Sequence, residues 1–283
     1  MIKTGFLANG EMLGWEPEKL FSFIAETGFD CVELIDDIIF SPDKTAQYID
    51  GIAAASTKYG VGISEILAQH DLVVTDEAAR RANTELIIEN MKKAASLGIK
   101  TVNVFTGPVP WMSDPIIVGK QVSLTQAWSW VLGAFEKILP EAEKLGVRVA
   151  VENVWGMLVH DFYTNSFLQS RFDSPALGVN LDPSHDVLYG NTDMDFLVRS
   201  WGKKIFHVHV KDAIGVPEDG KFVFPLIGEG RVNFKALFAA LNDIGYDGCA
   251  SIEFESWAYR ANTLGGFHAA SAKPMLEAMK RFM

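Results

Sequence analysis

Four apolar stretches in the second half of the chain carry, at or near their ends, side chains that bind cations. Glu152 follows Val-Ala-Val, Asp182 follows Gly-Val-Asn-Leu, His209 lies in Phe206-His207-Val208-His209-Val210, and Glu253 follows Ala-Ser-Ile. Short apolar runs of this kind read as strands. His207 and His209 are two apart and share one strand face, opposite Phe206, Val208 and Val210. Three carboxylates gathered in one place repel strongly unless a cation neutralises them. Three oxygen ligands and one imidazole suit a divalent ion of the manganese, cobalt or magnesium type better than a structural zinc site, with zinc a further alternative. One acidic strand end alone is as well explained by a loop hydrogen bond. The repetition at equivalent positions on successive strands is what points to a metal.

Other side chains gather at the same strand ends. His207 stands behind the ligand His209 rather than beside it. His185, three residues after Asp182, could bind metal, orient Asp182 or contact substrate, and substrate contact is the favoured role. Lys211 has two roles open to it, holding a substrate oxygen or pairing with a carboxylate. Glu33, at the end of the second strand, is a further pocket candidate. His70 and His160 fall in loops near the same rim, and His70 is taken as a substrate contact. Trp15, Phe40, Trp111, Trp155 and Trp257 each follow a strand. Aromatic faces suit the C–H faces of a sugar while polar groups read its hydroxyls. Capping the barrel, or an interface in a homo-oligomer, is the structural alternative. Trp128, Trp130 and Trp201 fall on helices and are expected to pack.

The elements that must position these groups alternate strictly. Strands are expected at Ile2 to Ala8, Cys31 to Leu34, Val61 to Leu67, Thr101 to Phe105, Arg148 to Glu152, Leu177 to Asp182, Lys204 to Val210 and Gly248 to Phe254. Helices are expected from Pro17 to Thr27, about Lys44 to Lys58, Asp76 to Leu97, Ser123 to Leu145 with a kink at Pro140, a short one that includes Asn165 to Gln169, Met194 to Ser200, Asn233 to Ile244 and His268 to Arg281. Alternation implies parallel pairing with helical crossovers. Eight such units, with no composition break, close into a single-domain (β/α)8 TIM barrel over residues 1–283. An open doubly wound sheet would carry a glycine-rich phosphate turn after the first strand, and Gly5, Gly10 and Gly14 do not fit it. In a barrel the chemistry gathers where strands end.

Bulk properties agree. The 283 residues are 48% hydrophobic, ample for one large core. A net charge of −11 and no Lys/Arg run argue against a nucleic-acid partner. Two cysteines, Cys31 and Cys249, read as free buried thiols of a cytoplasmic protein. No long apolar run follows Lys3 as in a signal peptide, and none approaches the ~20 residues of a membrane span.

The chain resembles the xylose isomerase-like sugar phosphate isomerase/epimerase superfamily. The resemblance rests on Val151-Glu152-Asn153, Leu181-Asp182-Pro183-Ser184-His185, His207-Val208-His209-Val210-Lys211-Asp212, Gly228-Glu229-Gly230-Arg231-Val232-Asn233-Phe234, Gly245-Tyr246-Asp247-Gly248 and Ser251-Ile252-Glu253. It implies that Glu152, Asp182, His209 and Glu253 hold one divalent metal, often manganese. It also implies that Glu152 and Glu253 act as an acid/base pair and that His185 contacts substrate. Ketose epimerases of the superfamily usually carry an arginine several residues beyond the metal histidine, and Lys211-Asp212-Ala213-Ile214-Gly215 supplies none. Its endonuclease members need further ligands for a three-zinc cluster, and a full set is not found.

Three functions follow as expectations. The first is an isomerase or epimerase of a ketose-like sugar or polyol, abstracting a proton next to a carbonyl through an enediolate. The second is a dehydratase or lyase that loses water or an aglycone after the same first step. The third is a non-catalytic sugar-binding or partner subunit, which would not need the full Glu, Asp, His, Glu set.

Overall fold

The structure is a computed structural model that describes residues 1–41 and 44–283, with the backbone alone for Asp37 and Ile38. Eight parallel strands close into a barrel: β1 (Lys3–Leu7), β2 (Cys31–Ile35), β3 (Gly62–Leu67), β4 (Thr101–Val104), β5 (Arg148–Glu152), β6 (Leu177–Leu181), β7 (Ile205–Val210) and β10 (Cys249–Ile252). A two-stranded antiparallel hairpin, β8 (Ile214–Gly215) and β9 (Phe222–Val223), projects from the loop after β7. Going round, β1 is flanked by β10 and β2, so first and last barrel strands pair, with Phe6 opposite Ile252.

The described residues form eleven α-helices: α1 (Pro17–Thr27), α2 (Asp36–Ile39), α3 (Ala46–Tyr59), α4 (Glu77–Ser96), α5 (Leu124–Leu145), α6 (Phe162–Gln169), α7 (Pro183–Leu188), α8 (Met194–Trp201), α9 (Phe234–Asp243), α10 (Trp257–Thr263) and α11 (Ala272–Lys280). Their starts follow cap chemistry. Ser123, Asp161, Asp193 and Asn233 each accept a backbone N–H from the first turn of the helix they open. α5 continues through Pro140 as one element and stops at Gly146, whose φ of 64° an L side chain rarely adopts. No helix among the described residues is long and apolar enough to cross a membrane.

The strands are buried on both faces, which is why they read as nearly continuous apolar runs. Their outward residues pack under the helices, where Phe21, Ile24, Phe135, Ile138, Leu237 and Phe238 are fully buried. A barrel bore is ordinarily filled by branched apolar side chains. Here Glu33, Glu65, Asn103, Asn180, His207, His209 and Ser251, all from the barrel strands, are buried at 0–1% exposure. Both cysteines are buried and unpaired.

Candidate active site

The site begins with local backbone chemistry at the ends of β5 and β6. Pro183 at the first position of α7 makes Asp182 the helix cap, and Asp182 Oδ1 accepts from Ser184 N at 2.8 Å. That leaves Asp182 Oδ2 pointing elsewhere. Asn153, just past β5, clasps the same residue: its Nδ2 donates to Asp182 O at 2.8 Å and its Oδ1 accepts from Asp182 N at 3.2 Å. The two strand ends are thereby locked together.

Glu152, Asp182, His209 and Glu253 each offer a ligand atom, and these atoms all lie within 4.8 Å of one another. His209 Nδ1 is 3.0 Å from Glu152 Oε1, 3.1 Å from Glu253 Oε2 and 3.9 Å from Asp182 Oδ2. Asp182 Oδ2 is fully buried and accepts a hydrogen bond from no described residue. Lys211 Nζ is ion-paired with it at 3.0 Å, and His185 Nε2 lies at 3.3 Å. One ammonium does not balance the buried carboxylates of Glu152, Asp182 and Glu253. With three carboxylates and one imidazole together, the site fits a divalent cation.

Lys211 is 3% exposed and reaches Glu253 Oε2 at 2.5 Å and Glu255 Oε2 at 3.0 Å. Its Nζ also lies 3.2 Å from His185 Nε2 and 4.7 Å from the ring centre of Phe224. Burial pulls the lysine down, but Asp182, Glu253 and Glu255 outweigh it and hold the ammonium well above its usual range. Burial pushes Glu253 up, and Lys211 and His209 overcome this and hold it well below the carboxylate range. Glu152 is raised, chiefly by burial. His185 is pushed down to about 3 by burial and by Lys211, so it is neutral. Burial would also lower His209, but Glu33, Glu152 and Glu253 hold its ion-free imidazolium well above the usual range.

Beneath this set lies a second one. The ligand atoms of Glu33, Glu65, His207 and His209 also fall within 4.8 Å of one another. His209 Nε2 is 2.9 Å from Glu33 Oε1, and His207 Nδ1 is 3.2 Å from Glu65 Oε1. Asn103 Nδ2 joins the two sets, donating to Glu152 Oε2 at 2.9 Å and to Glu65 Oε1 at 3.3 Å. Burial and the neighbouring Glu33 charge raise Glu65 well above the carboxylate range.

Above the strand ends opens a cavity of about 1060 Å3, with Glu152, His185, Lys211 and Glu253 in its floor. Trp111, Trp155, Phe222, Phe224, Trp257 and Tyr259 are among its walls. Trp155, Phe222 and Phe224 run edge to face, at 4.7 Å and then 5.2 Å between ring centres. The loop carrying these phenylalanines is anchored by Asp212, which accepts from Ala213, Gly228, Gly230 and Val232 N–H at 2.7–3.1 Å. A Cβ on Gly230 would stand 2.1 Å from Asp212 Oδ1, so only glycine fits there.

Three expected cavity residues stand elsewhere: Trp15, His70 and Phe40, the last covered by Lys93 at 4.7 Å from its ring centre. Trp15 follows a short 3-10 turn that aims it at α1, where it packs edge-on to Phe23 at 5.3 Å beneath Lys19. His70 is drawn away from the cavity by Asp36 Oδ2 at 2.8 Å and Asn90 Nδ2 at 3.2 Å. His160 stacks on Tyr189 at 4.3 Å. Trp257 opens the short helix α10 rather than lying in a loop. Trp128 and Trp201 pack on Phe167 and Phe162, and Arg80 covers Trp130.

Sequence reasoning did not single out Glu65, Asn103 or Asn180. Their signal was a lone polar residue inside an apolar run, as in Val-Asn103-Val and Val-Asn180-Leu. That pattern is legible once the strand is known to be buried on both faces.

Residues 21–281 match the profile of the xylose isomerase-like TIM barrel family. The inosose isomerase of Bacillus subtilis (strain 168) is 26% identical over 237 residues, covering 80% of this chain and 79% of that protein. The ketose 3-epimerase of Arthrobacter globiformis is 27% identical over 246 residues, covering 82% and 74%. The crystal structure of D-psicose 3-epimerase with D-tagatose from Clostridium cellulolyticum H10 superposes with a TM-score of 0.76 at 16% identity, over 99% of each chain.

Proposed function

Since the chain belongs to the xylose isomerase-like TIM barrel family, we propose that it is a divalent-metal-dependent isomerase or epimerase of a ketose-like sugar or polyol. The observation that carries this reading is the convergence of Glu152, Asp182, His209 and Glu253 on one point in the floor of a large cavity. Relatives named for inosose isomerisation and ketose epimerisation support the substrate class. Manganese is the ion assigned first, with cobalt, magnesium and zinc as alternatives. Two unpaired buried thiols support a cytoplasmic location.

Bound there, the ion would supply a Lewis acid for the carbonyl and neighbouring hydroxyl of the substrate. The residues do the rest. Glu152 and Glu253 form the acid/base pair: one carboxylate takes the proton next to the carbonyl and the other returns one. Lys211 and His185, side by side in the floor, hold substrate oxygens. Lys211 offers a cation to the negative charge that develops on oxygen. Trp111, Trp155 and Trp257 take the apolar face of the sugar.

Replacing Glu152 or Glu253 by glutamine should lower deuterium uptake from solvent into a turned-over ketose by ~10²–10⁴-fold, the usual worth of a positioned acid or base. Undiminished exchange in both variants would end the assignment. The cavity favours one second reading. At about 1060 Å3 it sits at the top of the ~300–1,000 Å3 common for ligand pockets, room for a keto-glycoside that loses its aglycone after the same proton abstraction. A panel of ketoses, inososes and 3-keto-glycosides, scored for isomerised against eliminated product, separates the two.

A further inference from the structure

We infer that Glu33 is the positioning residue for His209: it takes the Nε2–H of the imidazole and so turns the Nδ1 lone pair toward Glu152, Asp182 and Glu253. This rests on the metal reading of those residues and adds a group from the far side of the barrel.

The geometry separates the two ring nitrogens. Nδ1 lies 3.0–3.9 Å from the three carboxylates on the cavity side. Nε2 lies 2.9 Å from Glu33 Oε1, and Glu65 Oε1 is farther off at 3.8 Å. β2 and β7 are not neighbours in the barrel, so Glu33 reaches His209 across the bore. Both side chains are fully buried, and Glu33 Oε2 accepts a hydrogen bond from no described residue. A carboxylate in such a place is expensive unless a strong donor faces it. An imidazole N–H, made more acidic by a metal on the opposite nitrogen, is such a donor, and the carboxylate in turn makes the ligand nitrogen more basic.

One contact tests the tautomer. Asn180 Nδ2 is placed 3.1 Å from His209 Nε2, with Asn180 Oδ1 3.1 Å from His207 Nδ1. As drawn, the amide nitrogen would need Nε2 to accept. Amide orientation is an assignment from the network. Turning the amide over puts Oδ1 at His209 Nε2 and Nδ2 at His207 Nδ1. His209 then shares its Nε2–H between Glu33 and Asn180. His207 keeps its Nε2–H for Ser251 Oγ at 3.0 Å. In that arrangement both His209 Nε2–H and His207 Nε2–H face acceptors.

The measurement is manganese affinity of the full-length, metal-stripped protein by titration calorimetry, with the bound stoichiometry. Glu33→Gln keeps the shape and removes the charge, and should weaken binding toward the ~10–100-fold that loss of such a partner usually costs. Glu33→Met removes the acceptor and should weaken it further. Glu65→Gln, in the same cluster but not against Nε2, should bind as the parent does. In the zinc-loaded protein, nitrogen-15 spectra of the histidine rings should show His209 protonated at Nε2, with that proton's resonance shifted upfield in Glu33→Met as its charged acceptor is lost. A Glu33→Gln affinity within twofold of the parent overturns the inference. So does a stoichiometry of two ions per chain, which would make Glu33 a ligand of an inner ion. A parent protein that binds no divalent ion removes the metal reading itself, and this inference with it.

Discussion

On the cavity side of His209 stand Glu152, Asp182 and Glu253; on the bore side stand Glu33, Glu65 and His207. Each group has carboxylates, each is buried, and each uses the same imidazole. They differ in what completes them. Glu152 and Glu253 line a cavity, Lys211 presses on Asp182 and Glu253, and Asp182 Oδ2 is left without a hydrogen bond. The bore group has no lysine in contact and none of its three members lines that cavity. It is closed instead by neutral partners: Asn103, Asn180 and Ser251. Similar residues thus stand in different surroundings, one group open to a cavity and the other closed by neutral side chains. One group is built to hold charge, the other to hold a geometry.

The contrast can be broken most severely on the cavity side. Asp182→Asn should weaken divalent-ion binding by more than the ~10–100-fold expected for an outer partner, because it removes a ligand oxygen. Calorimetry on the stripped variant reads this directly, and an unchanged affinity would contradict the cavity group as the ion site.

Acid sharpens the contrast next. His185 in the cavity floor and His207 in the bore are both pushed down to about 3 by burial, with Lys211 adding to the effect at His185. An unfolded histidine titrates near ~6.5, so the unfolded chain takes up protons first as pH falls. The stability from keeping these rings neutral is complete above ~6.5 and is lost as pH drops toward 3. The melting temperature of the metal-free protein should therefore fall across that window. His207→Gln should flatten the slope by about one proton's worth; a slope unchanged by that substitution counts against a neutral His207.

The smallest effect belongs to Glu65. Burial and the Glu33 charge hold this carboxyl well above the usual carboxylate range, which favours its neutral form. Glu65→Gln should then shift stability by under about 1 kcal/mol, measured by denaturant unfolding at pH 7. A loss of several times that would mean the carboxyl is ionised in the fold.

The barrel and its acidic rim were legible because parallel strands buried on both faces read as apolar runs, and the last four runs give way to charge at one end. Glu152, Asp182, His209 and Glu253 were visible for that reason. Lone polar residues such as Asn103 and Asn180 were not, since a strand pattern cannot say which residues meet across a bore. α7 was hidden behind Asp182-Pro183, which reads as a turn until the aspartate is recognised as a cap. Trp15 and His70 show the converse limit. Their position after a strand was right, but Lys19 with Phe23, and Asp36 with Asn90, decide where each ring points.

Asp212 has a consequence for how this enzyme can change. Its two oxygens pin Ala213 at one end of a loop and Gly228, Gly230 and Val232 at the other. The segment between them, with the β8–β9 hairpin, Phe222 and Phe224, is a cassette whose two ends are joined by one side chain. Lengthening such a segment is cheap, about 0.6 kcal/mol for each doubling of a flexible loop. The wall that meets the substrate can therefore be rewritten in size and sequence while the strand-end chemistry beneath it stays in register.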